Sequence, residues 1–309
     1  LPLVPLHGWA RELYSDAPAG LAVLVAGSAS RLGGLMLVVV MAGVLHDGSK
    51  AIAPYVGVVA AVTVFYAALA ALRSSDLRRM AAHLALIPGG VTLLGLSGLT
   101  PLSLHGVVLS LYAGGLAAAL VVGAAATLAL RAQARSLAAA SGLAGRHPVL
   151  SWLLLLGCLA ALGVPFAATF TSGVMIFLGS FGRALDQSLA VGAGLVLGAC
   201  AIAWLAQRAL FGAPPPDLPA GQEATLPDRW YLGILVGALL WVGLVPGGPQ
   251  LFGIPLFDPG MANVVNSATA DLAGAYAVAA PPTPAASPLP SVPSPSASPS
   301  SPAPTPAGP

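Results

Sequence analysis

From about Ala17 to Leu45 the chain offers one formal charge, Arg31, near the middle of an otherwise apolar stretch. At about 1.5 Å per residue, such a stretch crosses a hydrocarbon core of about 30 Å. A guanidinium at that depth costs from about 3 to above 10 kcal/mol, and it stays charged. It normally faces a bundle interior or a wet cavity, which makes it a functional-site candidate. The alternative is an arginine that snorkels to the interface. Arg31 is too central for easy snorkelling, so an interior placement is expected.

The rest of the chain agrees with a membrane setting. It is 57% hydrophobic and 7% charged, with a mean hydropathy of +0.88, against about 25% charged in soluble domains. The expected fold class is all-α, a polytopic transmembrane helix bundle. The net charge of +2 is not gathered into a basic patch interleaved with aromatics, so nucleic acid is not an expected partner. Cys158 and Cys200 lie in apolar runs without ligand spacing and read as small packing residues. No metal site is expected. The chain starts at Leu1 without an initiator Met or a basic leader, so no signal peptide is expected and an N-terminal part is expected to be missing.

Seven apolar spans can be marked, at about 18–45, 52–72, 80–99, 106–130, 149–182, 188–207 and 230–246. The fifth is too long for one straight crossing and too short for two with a turn. Pro165 lies at its centre, followed by the polar stretch Ala167 to Gly173 with Thr169 and Thr171. One discontinuous helix, broken near Pro165–Gly173, is expected; a proline kink or a tight hairpin are the alternatives. With seven spans, Arg11, Arg73, Arg78, Arg79, Arg131, Arg135, Arg146, Arg208 and Arg229 fall on one side. Lys50 and Arg183 fall on the other. The arginine-rich side should be cytoplasmic and the C-terminus extracytoplasmic. Residues 1–250 form the expected transmembrane bundle. Residues 251–280 form an extramembrane or interfacial segment. Residues 281–309, almost wholly Pro, Ser, Ala and Thr, form an expected disordered tail.

Gly192-Ala-Gly194 lies inside a span and lacks the strand and acid of a dinucleotide loop; Gly194 and Gly198 read as close-packing residues. His83 and His105 lie in or beside spans. Each is either a proton relay or a histidine satisfied by a neighbouring helix. No catalytic triad, paired carboxylates or cofactor motif is visible.

The ordered motifs carry more. Val4-Pro-Leu-His-Gly-Trp9, Asp16-Ala-Pro18, Ala26-Gly27, Arg31-Leu-Gly-Gly34, Ala71-Leu72, Asp76-Leu-Arg-Arg79, Leu162-Gly-Val-Pro165 and Phe177-Leu-Gly-Ser-Phe181 follow one another at fixed spacing. Together they resemble the antiporter-like membrane subunits of respiratory complex I, most closely NADH-quinone oxidoreductase subunit M (ND4 type), over residues 1 to about 250. The resemblance implies an inverted-repeat fold of which this chain holds the end of the first repeat and all of the second. It implies a role in quinone reduction coupled to proton translocation. NADH, FMN, Fe–S clusters and quinone would be bound by partner subunits, with no redox site in this chain. It also implies other membrane-arm subunits as partners and a cell inner (plasma) membrane location.

The family's relay of Lys, His and Glu is altered. Arg31 stands at a lysine position, Pro88 and Gly114 at histidine positions, and Gly173 at the glutamate of the broken helix. Arginine effectively does not deprotonate, and proline and glycine have nothing to titrate. Arg31, His83 and Tyr112 remain as proton-path candidates, and backbone carbonyls, water or hydroxyls such as Tyr112 are the expected partners of Arg31. Two other functions are weighed beside the first: a subunit of a multisubunit cation/proton antiporter or membrane-bound hydrogenase, and a non-conducting structural membrane subunit.

Overall fold

Apolar runs in this chain become helices wherever a start signal precedes them. A computed structural model describes residues 1–133, 135–137, 141–212 and 224–244, with a short antiparallel pair, β1 (Gln250–Leu251) and β2 (Ile254–Pro255). Apart from those strands, the expectations for 251–280 and 281–309 lie outside the described residues.

A short helix, α1 (Gly8–Asp16), leads to α2 (Ala19–Leu24) and α3 (Ser30–Val38). A π-helical turn, Val25–Ala29, joins α2 to α3, and a second, Val39–Val44, follows α3. Next comes α4 (His46–Arg73). Asp76 caps α5 (Leu77–Leu84) by accepting from the Arg78 and Arg79 amides. Pro88 opens α6 (Ile87–Gly98). Thr100 and Ser103 form a capping box, and Pro101 starts α7 (Pro101–Arg131). One turn, α8 (Leu143–Arg146), precedes α9 (Pro148–Leu162), which also starts on proline. Then follow α10 (Ala168–Ser180), α11 (Leu185–Leu205) with a terminal π turn to Leu210, and α12 (Leu226–Leu244).

The α5–α6 pass and α7 form the centre, with 94% and 89% of their apolar windows buried; the α2–α3 pass is only 28% buried. Glycines mark where helices cross closely. Gly27 meets Ala119 and the Gly115 backbone, and Gly34 meets Leu111. The α2–α3 pass therefore runs antiparallel to α7.

Five of the described helical passes are long and apolar enough to cross a membrane: 19–41, 48–73, 77–98, 101–131 and 185–210. That is fewer than the seven spans expected. The fifth expected span has divided into α9 and α10, each too short alone, at about 22 and 20 Å. The seventh, α12, carries Asp228 and Arg229 in its first turn, which dilute its apolar character.

Contacts along α7 describe the divided span. Gly157 of α9 packs on Leu120 and Val121, Ile176 of α10 on Gly106, and Gly179 on Ser103. The pair thus travels once along α7, end to end. A hairpin would return Gly179 towards Leu120. The direction of α11 agrees: Gln187 lies at Gly57 and Gly194 at Val64, so α11 runs parallel to α4. The break covers Gly163–Ala167 and starts earlier than the expected Pro165–Gly173. Thr169, Thr171 and Gly173 are already helical. Gly163 takes a left-handed φ of 81°, which ends α9. The Thr169 hydroxyl then donates to the Ala160 carbonyl at 2.6 Å, a second donor beside the Gly163 amide, which ties α10 to α9 across the break. Gly243 of α12 lies directly on the Phe166–Ala168 backbone.

One end of the bundle gathers the arginines. Arg135 pairs with Asp16 and, through Nε at 2.6 Å, with Asp76. Arg78 donates to the Ala17 carbonyl, and Arg131 pairs with Asp228 at 2.7 Å. Lys50 and Arg183 meet at the opposite end, around one cleft.

Candidate functional site

Arg31 is the second residue after the π turn Val25–Ala29, a wide turn of the kind that re-aims the next side chains. Its residue exposure is 6%. Nη2 donates to the Gly114 carbonyl at 3.0 Å, while Nε and Nη1 have no hydrogen-bond partner among the described residues. A Cβ on Gly114 would lie 2.8 Å from Pro88 Cβ and 3.4 Å from Arg31 Nη1. Arg31, Pro88 and Gly114 are thus in one layer, where α3, α6 and α7 meet.

Two hydroxyls extend that layer. Thr92, one turn after Pro88, donates to the Pro88 carbonyl and shares a hydrogen bond with Ser110, both at 2.8 Å. Ser110 lies one turn before Gly114. Beyond Ser110 is a cavity of about 300 Å³ lined by Pro88, Ser110, Thr169, Ser172 and Gly173, among mostly apolar neighbours. The Ser172 hydroxyl is turned back onto the Thr169 carbonyl at 3.0 Å. A continuous seam therefore runs from Arg31 through Thr92 and Ser110 to the α9–α10 break. Gly173 faces open space, with nothing within 4 Å of a Cβ placed there.

Thr92 and Ser110 were not singled out in the sequence. The signal was the spacing of four: Pro88 to Thr92 and Ser110 to Gly114 put hydroxyls on the same faces as the altered positions. The interruption between α5 and α6 was missed too. Pro88 lacks an amide hydrogen and clashes with a preceding helical carbonyl, so the pass restarts there.

The other candidates lie elsewhere. Tyr112 is 50% exposed, so it is not the partner of Arg31. It is two residues from Gly114, about 200° around the helix. A buried phenol, Tyr14, packs in one cluster with Ala26, Ala85 and Ala118. His83 is buried towards the arginine-rich end, where Nδ1 shares a hydrogen bond with the Ser74 hydroxyl at 3.2 Å and the ring meets Tyr66. His105 is the fifth residue of α7, its Nδ1 2.6 Å from the Pro101 carbonyl. Pro165 is exposed in the break. Among the described residues no three His, Cys, Asp or Glu side chains converge on a point that could hold a metal.

An all-α polytopic membrane bundle with an interrupted pass and a polar interior seam is a fold of antiporter-like type. It overlays a chain of the Mrp complex from Dietzia sp. DQ12-45-1b with a TM-score of 0.74, at 18% identity, covering 88% of this chain and 58% of that one. A chain of respiratory complex I from Thermus thermophilus gives 0.70 at 24% identity, over 88% and 56%. In sequence, the chain is 29% identical over 225 residues to NAD(P)H-quinone oxidoreductase chain 4 1 of Synechococcus sp. (strain JA-3-3Ab), covering 71% of this chain and 43% of that protein. Residues 1–198 match the family model described as NADH:quinone oxidoreductase/Mrp antiporter, transmembrane, and the chain belongs to that family. It spans about half the length of the relatives it matches.

Proposed function

We propose that the chain supplies the second antiporter-like repeat of an M-type membrane-arm subunit in a proton-translocating NADH-quinone oxidoreductase, and that its own half-channel is degenerate. The α9–α10 pair acts as one broken crossing and α12 as the last, so the chain crosses seven times. Both the end-to-end packing along α7 and the parallel run of α4 and α11 support that count. By the positive-inside rule the arginine-rich end is cytoplasmic, in a cell inner membrane, with other membrane-arm subunits as neighbours. The redox cofactors would be bound by those partners.

The observation that carries the degenerate path is the seam. Arg31, Pro88, Gly114 and Gly173 all border it, and the guanidinium among them keeps a fixed charge. Thr92 and Ser110 can hand on a proton only together with water, and a fixed positive charge beside them repels a migrating proton. The half therefore serves as a packed scaffold.

The test is Arg31→Met in the full-length protein within its native assembly, with proton translocation per electron pair measured in sealed vesicles. A degenerate half predicts an unchanged ratio in the assembled variant. A fall to about half or less overturns the reading.

A second reading, a subunit of a multisubunit cation/proton antiporter, is favoured by the fold likeness to the Dietzia Mrp chain. Cation-driven proton exchange in the same vesicles, without an electron donor, would support it.

A further inference from the structure

The cavity beside the α9–α10 break has walls that suit a different guest from a proton. It holds about 300 Å³, the space of roughly ten waters at about 30 Å³ each. A buried water needs about two to four polar partners. Among the described residues, the polar side chains on the wall are Ser110, Thr169 and Ser172. A hydroxyl carries one hydrogen, and all three hydrogens are committed within the protein. Thr169 donates to the Ala160 carbonyl, and Ser172 to the Thr169 carbonyl. Thr92 donates to the Pro88 carbonyl, which leaves Ser110 to donate to Thr92. The rest of the wall is apolar, including Val91, Phe177 and Leu195. Such a cavity disfavours water and takes apolar guests.

Depth and access decide which guest. Ser110 is about 14 Å along the axis of α7 from Pro101, near the middle of a hydrocarbon core of about 30 Å. On the outer side the wall is α10. Phe170, Val174 and Leu178 line the cavity, follow one another at a spacing of four, and are 40%, 40% and 66% exposed. The cavity thus reaches the molecular surface along α10, at the depth of the lipid tails. Gly173, beside Val174, contributes no side chain to that wall, and nothing lies within 4 Å of a Cβ built there.

We propose that this cavity takes one acyl chain of a membrane lipid, which enters sideways past Val174 and Leu178 and ends against Val91 and Ser110. At that depth hydrocarbon is the surrounding solvent, and a chain that moves from it into an apolar cavity gives up no hydrogen bonds. The seated chain keeps water from the break end of the seam, beside Gly173, where the family pattern has a glutamate. This occupant deepens the reading of the seam as a path that no longer conducts. It also rests on that reading, because a conducting path would hold water there.

The experiment uses the full-length protein in its native assembly, in vesicles of phosphatidylcholine that carries a diazirine at the middle of one acyl chain. After illumination, adducts are located by peptide mass spectrometry. Val91 and Ser110 are buried, so a bilayer chain reaches them only through the cavity. Adducts are expected on both, as well as on Val196 of α11, which is exposed outside the cavity. Gly173→Leu fills the cavity and should lower the adducts on Val91 and Ser110 about tenfold, while those on Val196 stay unchanged. Val174→Trp, across the entrance, should do the same even if Gly173→Leu fails to assemble. Absence of adducts from both buried residues in the unmodified protein overturns the proposal, and so do adducts that neither variant lowers. Oxidation of Val91 by hydroxyl radicals generated in the water phase would show a wet cavity and overturns it too. The two readings fail separately. A fall in proton translocation in Arg31→Met rejects the degenerate path, whereas missing adducts with an unchanged ratio reject only the seated chain.

Discussion

Arg31 Nη2 and the Gly114 carbonyl oxygen are joined by a 3.0 Å hydrogen bond between residues 83 positions apart. This bond ties α3 to α7 at a backbone group already within helical reach of its own i+4 amide. It therefore adds a contact without satisfying an orphan acceptor. Its Nε and Nη1 are buried without a hydrogen-bond partner among the described residues. Replacing such a charge with an apolar side chain of similar length is often neutral or stabilising.

Arg31→Met is therefore expected to leave the thermal midpoint of the detergent-solubilised full-length protein unchanged or to raise it, by about 0–3 kcal/mol of stability. A loss beyond about 2 kcal/mol would mean that the guanidinium is matched by groups such as ordered water.

Gly114→His alone should be costly. Its Cβ would stand 2.8 Å from Pro88 Cβ, an atom fixed to the α6 backbone. Overpacking of this kind costs about 1–3 kcal/mol. Pro88→His does not relieve it, because histidine keeps the Cβ. Restoring the family pattern at all four positions thus requires α6 and α7 to move apart. Gly173→Glu, with nothing within 4 Å of its Cβ, meets no such overlap and should cost less than Gly114→His. Thermal melts of the two single variants in the same detergent compare these outcomes directly.

The break should depend on two small features. Thr169→Val removes the hydroxyl donor to the Ala160 carbonyl at nearly constant volume, leaving the Gly163 amide, and about 1 kcal/mol should be lost. Gly163→Ala forces a side chain into a φ of 81° and should cost about 1–2 kcal/mol. Hydrogen exchange across 158–172 should rise in both variants while exchange in α7 stays unchanged. Equal protection in Thr169→Val would show that water replaces the hydroxyl.

At the arginine-rich end, the Arg135 hydrogen bond holds the Asp16 carboxyl below the usual carboxylate range. The folded-state pKa is thus lower than the unfolded one. The stability Asp16 contributes is complete above an unfolded value of about 3.9 and is lost as pH falls through the lower folded value. Both side chains are about half exposed, so salt should weaken the effect. Tryptophan fluorescence followed from pH 6 to about 2 should show a shallower acid limb for Asp16→Asn than for the unmodified protein. Indistinguishable acid limbs would remove Asp16 from the account.

How far the sequence could be read depended on the kind of signal. The bundle and its arginine asymmetry were legible because burial in lipid imposes a composition on whole spans. The interrupted pass was legible because Pro165 sits in a run of the wrong length. Its limits were not, since they depend on Gly163 turning left-handed and on Thr169 reaching back to Ala160. Arg31 was placed inward by charge alone. Of the partners open to it, a backbone carbonyl is the one found, at Gly114; Tyr112 drops out because it and Gly114 differ in facing only through helical phase, which no residue on an all-apolar helix reveals. Thr92 and Ser110 are common residues in membrane helices, and only their meeting across α6 and α7 makes them distinctive.

The contact of Gly243 with the Phe166–Ala168 backbone bears on how the last helix can change over time. A Cβ there would fall 2.3 Å from the Phe166 carbonyl oxygen, so this position admits glycine alone while the break keeps its shape. The outward residues of α12 answer only to lipid or a neighbour and can drift freely. A library of α12 variants selected for assembly should therefore tolerate substitution at Gly233 and Gly237 and purge nearly everything at Gly243. The helix that looks most peripheral would carry one of the least replaceable residues in the chain.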